Sequence, residues 1–119
     1  MDSKKNIKIK SFLKTIIKDL NQLKAIDVKF IDIKNRSALG DYLVIASGNS
    51  SRHINAIASK IIENNKSSVI SVEGYKSTEW IIVDFGDIIL NLFKPETRDH
   101  YDLEKLWIND LEDEKLSFG

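Results

Sequence analysis

The chain has 119 residues, room for one domain with a core but not for a second independently folded unit. Apolar residues make up 42% and charged residues 30%, the balance of an ordinary globular protein, and the absence of cysteine excludes disulfides, thiol catalysis and thiolate metal sites. Eighteen basic side chains cancel eighteen acidic ones, which argues against a protein held on nucleic acid chiefly by neutralising phosphates.

The charges are unevenly placed. Seven lysines stand between Met1 and Lys24 against Asp2 and Asp19, and seven acids between Asp99 and Gly119 against Lys105 and Lys115. Solvated faces are the plain reading of both runs. The alternative is a basic end that makes a minor contact with RNA. No apolar run approaches the roughly 18 residues of a membrane span, and the first ten residues lack an apolar signal core, so a cytoplasmic protein without membrane contact is expected.

Ile9, Phe12, Leu13, Ile16, Ile17, Leu20 and Leu23 recur at three- and four-residue steps and predict an amphipathic helix with lysines on its other face. Asp27 to Lys34, rich in Val, Phe and Ile, reads as a strand, and residues 35 to 40 as a loop. The run Tyr42-Leu43-Val44-Ile45-Ala46 has the unbroken apolar pattern of a central strand buried on both faces. Ser47 to Ser51 supplies a turn and an N-cap for a second helix, with Ile54, Ile57, Ala58, Ile61 and Ile62 on one face and Asn64-Asn65 at its end. A short strand from Val69 to Val72 leads to a loop around Gly74.

Two apolar runs flank Gly86-Asp87, which predicts a tight hairpin. With a two-residue turn, Phe85 pairs with Ile88 and Trp80 with Phe93. Alternation then puts Ile81, Val83, Phe85, Ile88, Leu90 and Leu92 on one wholly apolar face. Trp80, Ile82, Asp84, Ile89, Asn91 and Phe93 share the other. The first is a core face. The second has the large anchors and interspersed polar groups of a protein-binding surface, or is a second core face with Asp84 and Asn91 hydrogen-bonded beneath a loop. After Pro95, the only proline, a short helix is expected, with Leu103, Leu106 and Trp107 packing back and a frayed acidic tail from 109 to 119. The element order predicts an α/β (mixed α+β) single domain over 1–119, with a mixed sheet of about five strands and helices packed on it.

A search for chemistry finds none. Gly48-Asn49-Ser50-Ser51 lies between a strand and a helix, where phosphate can meet helix N–H groups. No Asp-x-Asp or Asp-x-Glu pair follows in a strand to hold the metals of a nucleotidyltransferase, so a helix cap is the better account. Asp84-Phe85-Gly86 lacks every other kinase motif and reads as a strand entering a turn. His53 and His100 have no supporting ligand cluster, and Ser50 with His53 lacks an orienting acid and an oxyanion hole.

The stretch from Asp41 to His53, DYLVIASGNSSRH, resembles a signature of the ribosomal silencing factor (Iojap-like) family, and so do Glu73-Gly74, Glu79 to Asp87, Pro95 to Arg98, and Tyr101 to Trp107. With the first helix the resemblance covers roughly residues 10 to 108. One departure is Asn91, where the family usually has a histidine; an amide still donates and accepts. The resemblance implies a nucleotidyltransferase-like fold without catalytic acids, no enzyme activity and no cofactor or metal. It also implies binding to the large ribosomal subunit through ribosomal protein uL-fourteen, with steric block of subunit joining and lowered translation when nutrients are scarce. Trp80, Asp84, Asn91 and Phe93 on the mixed face, with Arg98 and Tyr101 after the last strand, are the candidate partner-binding residues. The N-terminal lysines are candidates for the minor ribosomal RNA contact. Two alternatives stay open: a nucleotide-binding protein or enzyme of nucleotidyltransferase type, and a homodimer that hides the same face.

Overall fold

The computed structural model describes residues 3–35, 40–74 and 79–101, with the side chains of residues 3 and 99–101 outside the description. Helix α1 (Ser3–Gln22) is followed by β1 (Ile26–Asp32), β2 (Tyr42–Ser47), α2 (Ser51–Asn64), β3 (Ser71–Glu73), β4 (Trp80–Asp84), β5 (Ile88–Phe93) and α3 (Pro95–Tyr101). The strands form one sheet in the order β1-β2-β5-β4-β3. β2 and β5 run parallel at its centre, and the other neighbours are antiparallel. This is the expected mixed α/β architecture with five strands. No helix among the described residues is long and apolar enough to cross a membrane.

The apolar stripe of α1 sinks Ile9, Leu13, Ile16 and Leu20 into the main core. The helix ends without glycine. Lys24 takes a left-handed conformation (φ 64°), Ala25 N–H donates to the Leu20 carbonyl (2.9 Å) and Lys24 N–H to that of Asn21 (3.1 Å). That pair of bonds is a Schellman motif, in which a side chain at the left-handed position carries strain that glycine avoids. From α2, Ile54, Ile57, Ala58 and Ile61 enter the same core, meeting Val44 and Ala46 of β2, Ile81 and Val83 of β4, and Ile88, Leu90 and Leu92 of β5. Phe12 of α1 sets its ring edge against Phe85 (5.2 Å, 87°). Both helices therefore cover one face of the sheet.

Strand bounds differ from expectation at two places, each for a local reason. β1 is shifted toward the N-terminus, to Ile26–Asp32, because Lys34 N–H turns back onto the Asp32 carboxylate (3.0 Å). It also carries a bulge between Ile26 and Lys29, where Asp27 has φ 50°. β3 is displaced to Ser71–Glu73 because Ser68 and Val69 N–H groups close a 3-10 turn onto Asn65 and Lys66. The expected packing of Leu103, Leu106 and Trp107 and the acidic tail lie outside the described residues.

The hairpin is as expected. Phe85 N–H donates to the Ile88 carbonyl (2.9 Å), Trp80 pairs with Phe93, and Gly86 adopts φ 88°. Positive φ at the first loop residue is what a two-residue hairpin turn of this kind demands of a glycine. Asp41 and Tyr42 N–H groups both donate to the Asp87 carbonyl (2.7 and 3.0 Å), tying the turn to the start of β2.

Candidate binding face

The sheet face away from α1 and α2 carries Leu43 and Ile45 of β2, Trp80, Ile82 and Asp84 of β4, and Ile89, Asn91 and Phe93 of β5. Its exposure is graded across the sheet. Ile33, Leu43, Ile45 and Phe93 form a second buried cluster, against which Ile31, Trp80 and Ile89 pack in part. Toward β4, Trp80, Ile82, Asp84 and Ile89 are half-buried. The face is therefore core at the β1–β2 side and half-buried at the β4 side.

The candidate residues divide accordingly. Trp80 packs its ring on Phe93 (5.0 Å, 38°) and donates from Nε1 to Asn91 Oδ1 (3.2 Å). Phe93 is 1% exposed and Asn91 4%, so they support the indole from beneath. Asn91 Nδ2 is buried with no hydrogen-bond partner among the described residues. A stranded donor of this kind costs about 1–3 kcal/mol. Asp84 accepts the Gly86 N–H on Oδ1 (2.7 Å), which fixes the carboxylate beside the turn.

Arg98 is 6% exposed and donates from Nη1 to Ser47 Oγ (2.9 Å). It pins α3 to the end of β2 and adds no surface to the face. Tyr101 is the last residue of α3; its side chain lies outside the description. Ile82 and Ile89, absent from the candidate set, share the open half with Trp80. Strand alternation placed them on this face, and only their partial exposure distinguishes them from core residues.

The loop before α2 is a structural joint. Ser50 caps the helix, its hydroxyl accepting from His53 N–H (3.1 Å). The imidazole accepts the Asn49 N–H on Nδ1 (2.9 Å), and its Nε2 meets the Leu23 carbonyl (2.9 Å). A backbone N–H can only donate and a carbonyl can only accept, so the pair of bonds calls for the tautomer that carries its hydrogen on Nε2. Neither nitrogen is left to deprotonate Ser50, and the serine–histidine pair is a clasp between α1 and α2. Gly48 makes the clasp possible, since a Cβ there would lie 2.8 Å from Ile54 Cγ2 and 3.2 Å from His53 Nδ1. Tyr42 is buried at the start of β2, edge-on to Phe30 (6.1 Å) and beneath the Lys34 ammonium (5.3 Å). Among the described residues no group of three or more His, Cys, Asp or Glu converges as a metal site would require.

Comparison with known proteins gives a consistent result. A family model described as ribosomal silencing factor during starvation matches residues 6–117. The chain is 39% identical over 98 residues to ribosomal silencing factor RsfS of Zymomonas mobilis, covering 80% of this chain and 74% of that one. It is 36% identical over 94 residues to the mouse protein named mitochondrial assembly of ribosomal large subunit protein 1, covering 74% of this chain and 41% of the mouse chain. A crystal structure of a Chromobacterium violaceum protein superimposes with a TM-score of 0.77 at 30% identity, covering 83% of this chain and 85% of the other. The motifs from Asp41 to His53 and around the β4–β5 hairpin thus sit in a fold shared with these relatives, and the chain belongs to the ribosomal silencing factor family.

Proposed function

We propose that this protein represses translation by docking on the large ribosomal subunit through the β4 side of its sheet face, so that the small subunit cannot join. The reading rests on family membership for the target, supported by the name of the mouse relative, and on one structural observation for the surface. That observation is Trp80, half-buried and seated on Phe93 and Asn91, with Ile82 next on the same face and Ile89 and Asp84 farther along it. A preorganised aromatic anchor with an apolar surround and a polar rim is the arrangement that dominates interface energetics. Ribosomal protein uL-fourteen is the proposed contact, and the mechanism is steric, with no catalytic step. The proposed site of action is the bacterial cytosol.

The lysines of α1 play a different part in this proposal. Lys4, Lys8, Lys10, Lys14 and Lys18 are exposed on a helix that covers the opposite sheet face, and among the described residues none forms an ion pair. They do not share the docking surface, so they supply long-range, salt-sensitive attraction to ribosomal RNA.

Co-sedimentation with purified bacterial large subunits over a salt series, beside Trp80→Ala, tests the proposal. Binding that survives moderate salt and is lost in the variant supports docking through this face. Binding that vanishes with salt and ignores Trp80 makes the lysine helix the principal contact. No binding by either protein removes the ribosomal reading.

A further inference from the structure

Asn91 occupies the middle of β5, and its surroundings fix which way the amide points. An indole N–H only donates, so Oδ1 must face Trp80 and the Nδ2 group must point elsewhere. Its register neighbours are Ile82 on β4 and Ile45 on β2, neither of which offers a side-chain acceptor. Ile89 and Phe93 lie two residues away on the same face of β5, equally apolar. The donor is thus stranded at the base of the half of the face that Trp80 and Ile82 leave partly open. The bond from Trp80 Nε1 accounts for an acceptor at this place, but neither that bond nor packing accounts for the donating half of the amide.

Building on the docking reading above, we infer that Asn91 Nδ2 is a reserved donor for the bound partner. On docking, Nδ2 donates to a neutral peptide carbonyl of the ribosomal protein. A carboxylate fits less well, because Asp84 lies diagonally across the β4–β5 pair on the same face and repels it. Partner selectivity follows from the same geometry. A surface that covers the face without an acceptor at this point leaves the donor unsatisfied in a water-excluded interface, and is rejected for that reason.

The test compares Asn91→Leu and Asn91→His with the unaltered protein, measuring both the melting temperature and the affinity for purified bacterial large subunits. Asn91→Leu is expected to melt at the same or a higher temperature while binding about tenfold more weakly, the usual worth of one well-placed hydrogen bond. Asn91→His restores affinity to within about threefold, because one ring nitrogen accepts from Trp80 while the other donates. Asn91→Asp, which keeps an acceptor for Trp80 Nε1 and removes the amide donor, controls for misplacement of the indole and is expected to bind as weakly as the leucine variant. Unaltered affinity in Asn91→Leu overturns the inference, as does a folded Asn91→His that binds no better than the leucine variant. A folded Asn91→Asp that binds like the unaltered protein also overturns it, since the effect then runs through indole placement. If Trp80→Ala weakens binding and Asn91→Leu does not, only the reserved donor falls. If both are silent, the docking face falls with it.

Discussion

The two faces of this sheet are made by the same strands, yet they solve different problems. On the helix side every inward position of the β4–β5 hairpin is apolar, and Ile81, Val83, Ile88, Leu90 and Leu92 are fully buried beneath α1 and α2. On the other side an indole, a carboxylate and an amide interrupt the apolar run, and burial fades from β2 toward β4. The first face is committed to stability. The second sacrifices some stability to keep polar groups oriented, at Asn91 above all. Mutations should therefore separate the two, lowering stability on one side and affinity on the other.

The largest separation is expected from Leu90→Ala, which opens a cavity in the helix-side core and lowers unfolding free energy by about 2–5 kcal/mol in a urea titration. The folded fraction should bind large subunits normally; loss of affinity in proportion to loss of stability would merge the two faces into one. Trp80→Ala is expected to reverse the pattern, reducing affinity by about 2 kcal/mol, roughly thirtyfold, with a smaller effect on unfolding because the ring is only half-buried. Smaller effects belong to the frame that holds both faces. Ser50→Ala removes the cap of α2 and should lower stability by about 1 kcal/mol, leaving affinity unchanged. Lys24→Gly relieves the left-handed residue at the end of α1 and should raise stability by about 0.5 kcal/mol, visible as a small increase in melting temperature.

Periodicity carried most of the fold. The repeat of Ile9, Leu13, Ile16 and Leu20 defined α1 and its buried stripe, and the turn at Gly86-Asp87 fixed the hairpin register down to the pairing of Trp80 with Phe93. The bulge at Asp27 was not legible, because no residue type demands a positive φ there. Of the candidate site, alternation identified the face but not its graded exposure. That gradient depends on which strands sit at the centre, and the parallel pairing of β2 with β5 is a long-range fact that no local pattern encodes. Arg98 read as surface because arginine usually is, whereas here its guanidinium bonds Ser47, 51 positions earlier in the chain. His53 was weighed as a catalytic base. Its role as a clasp depends on the Leu23 carbonyl, 30 positions away.

The irregular edge of β1 has a consequence for how such a protein survives while its target is occupied. A sheet with a partly apolar face and straight, unguarded edges invites other chains to add strands and grow into aggregates. Here one outermost strand is only three residues long, and the other is bent by the bulge at Asp27 and carries Lys29 exposed beside it. Both edges are thereby poor templates for strand-by-strand growth. The half-buried β4 side of the sheet can thus stay uncovered between edges that give other chains little to add to.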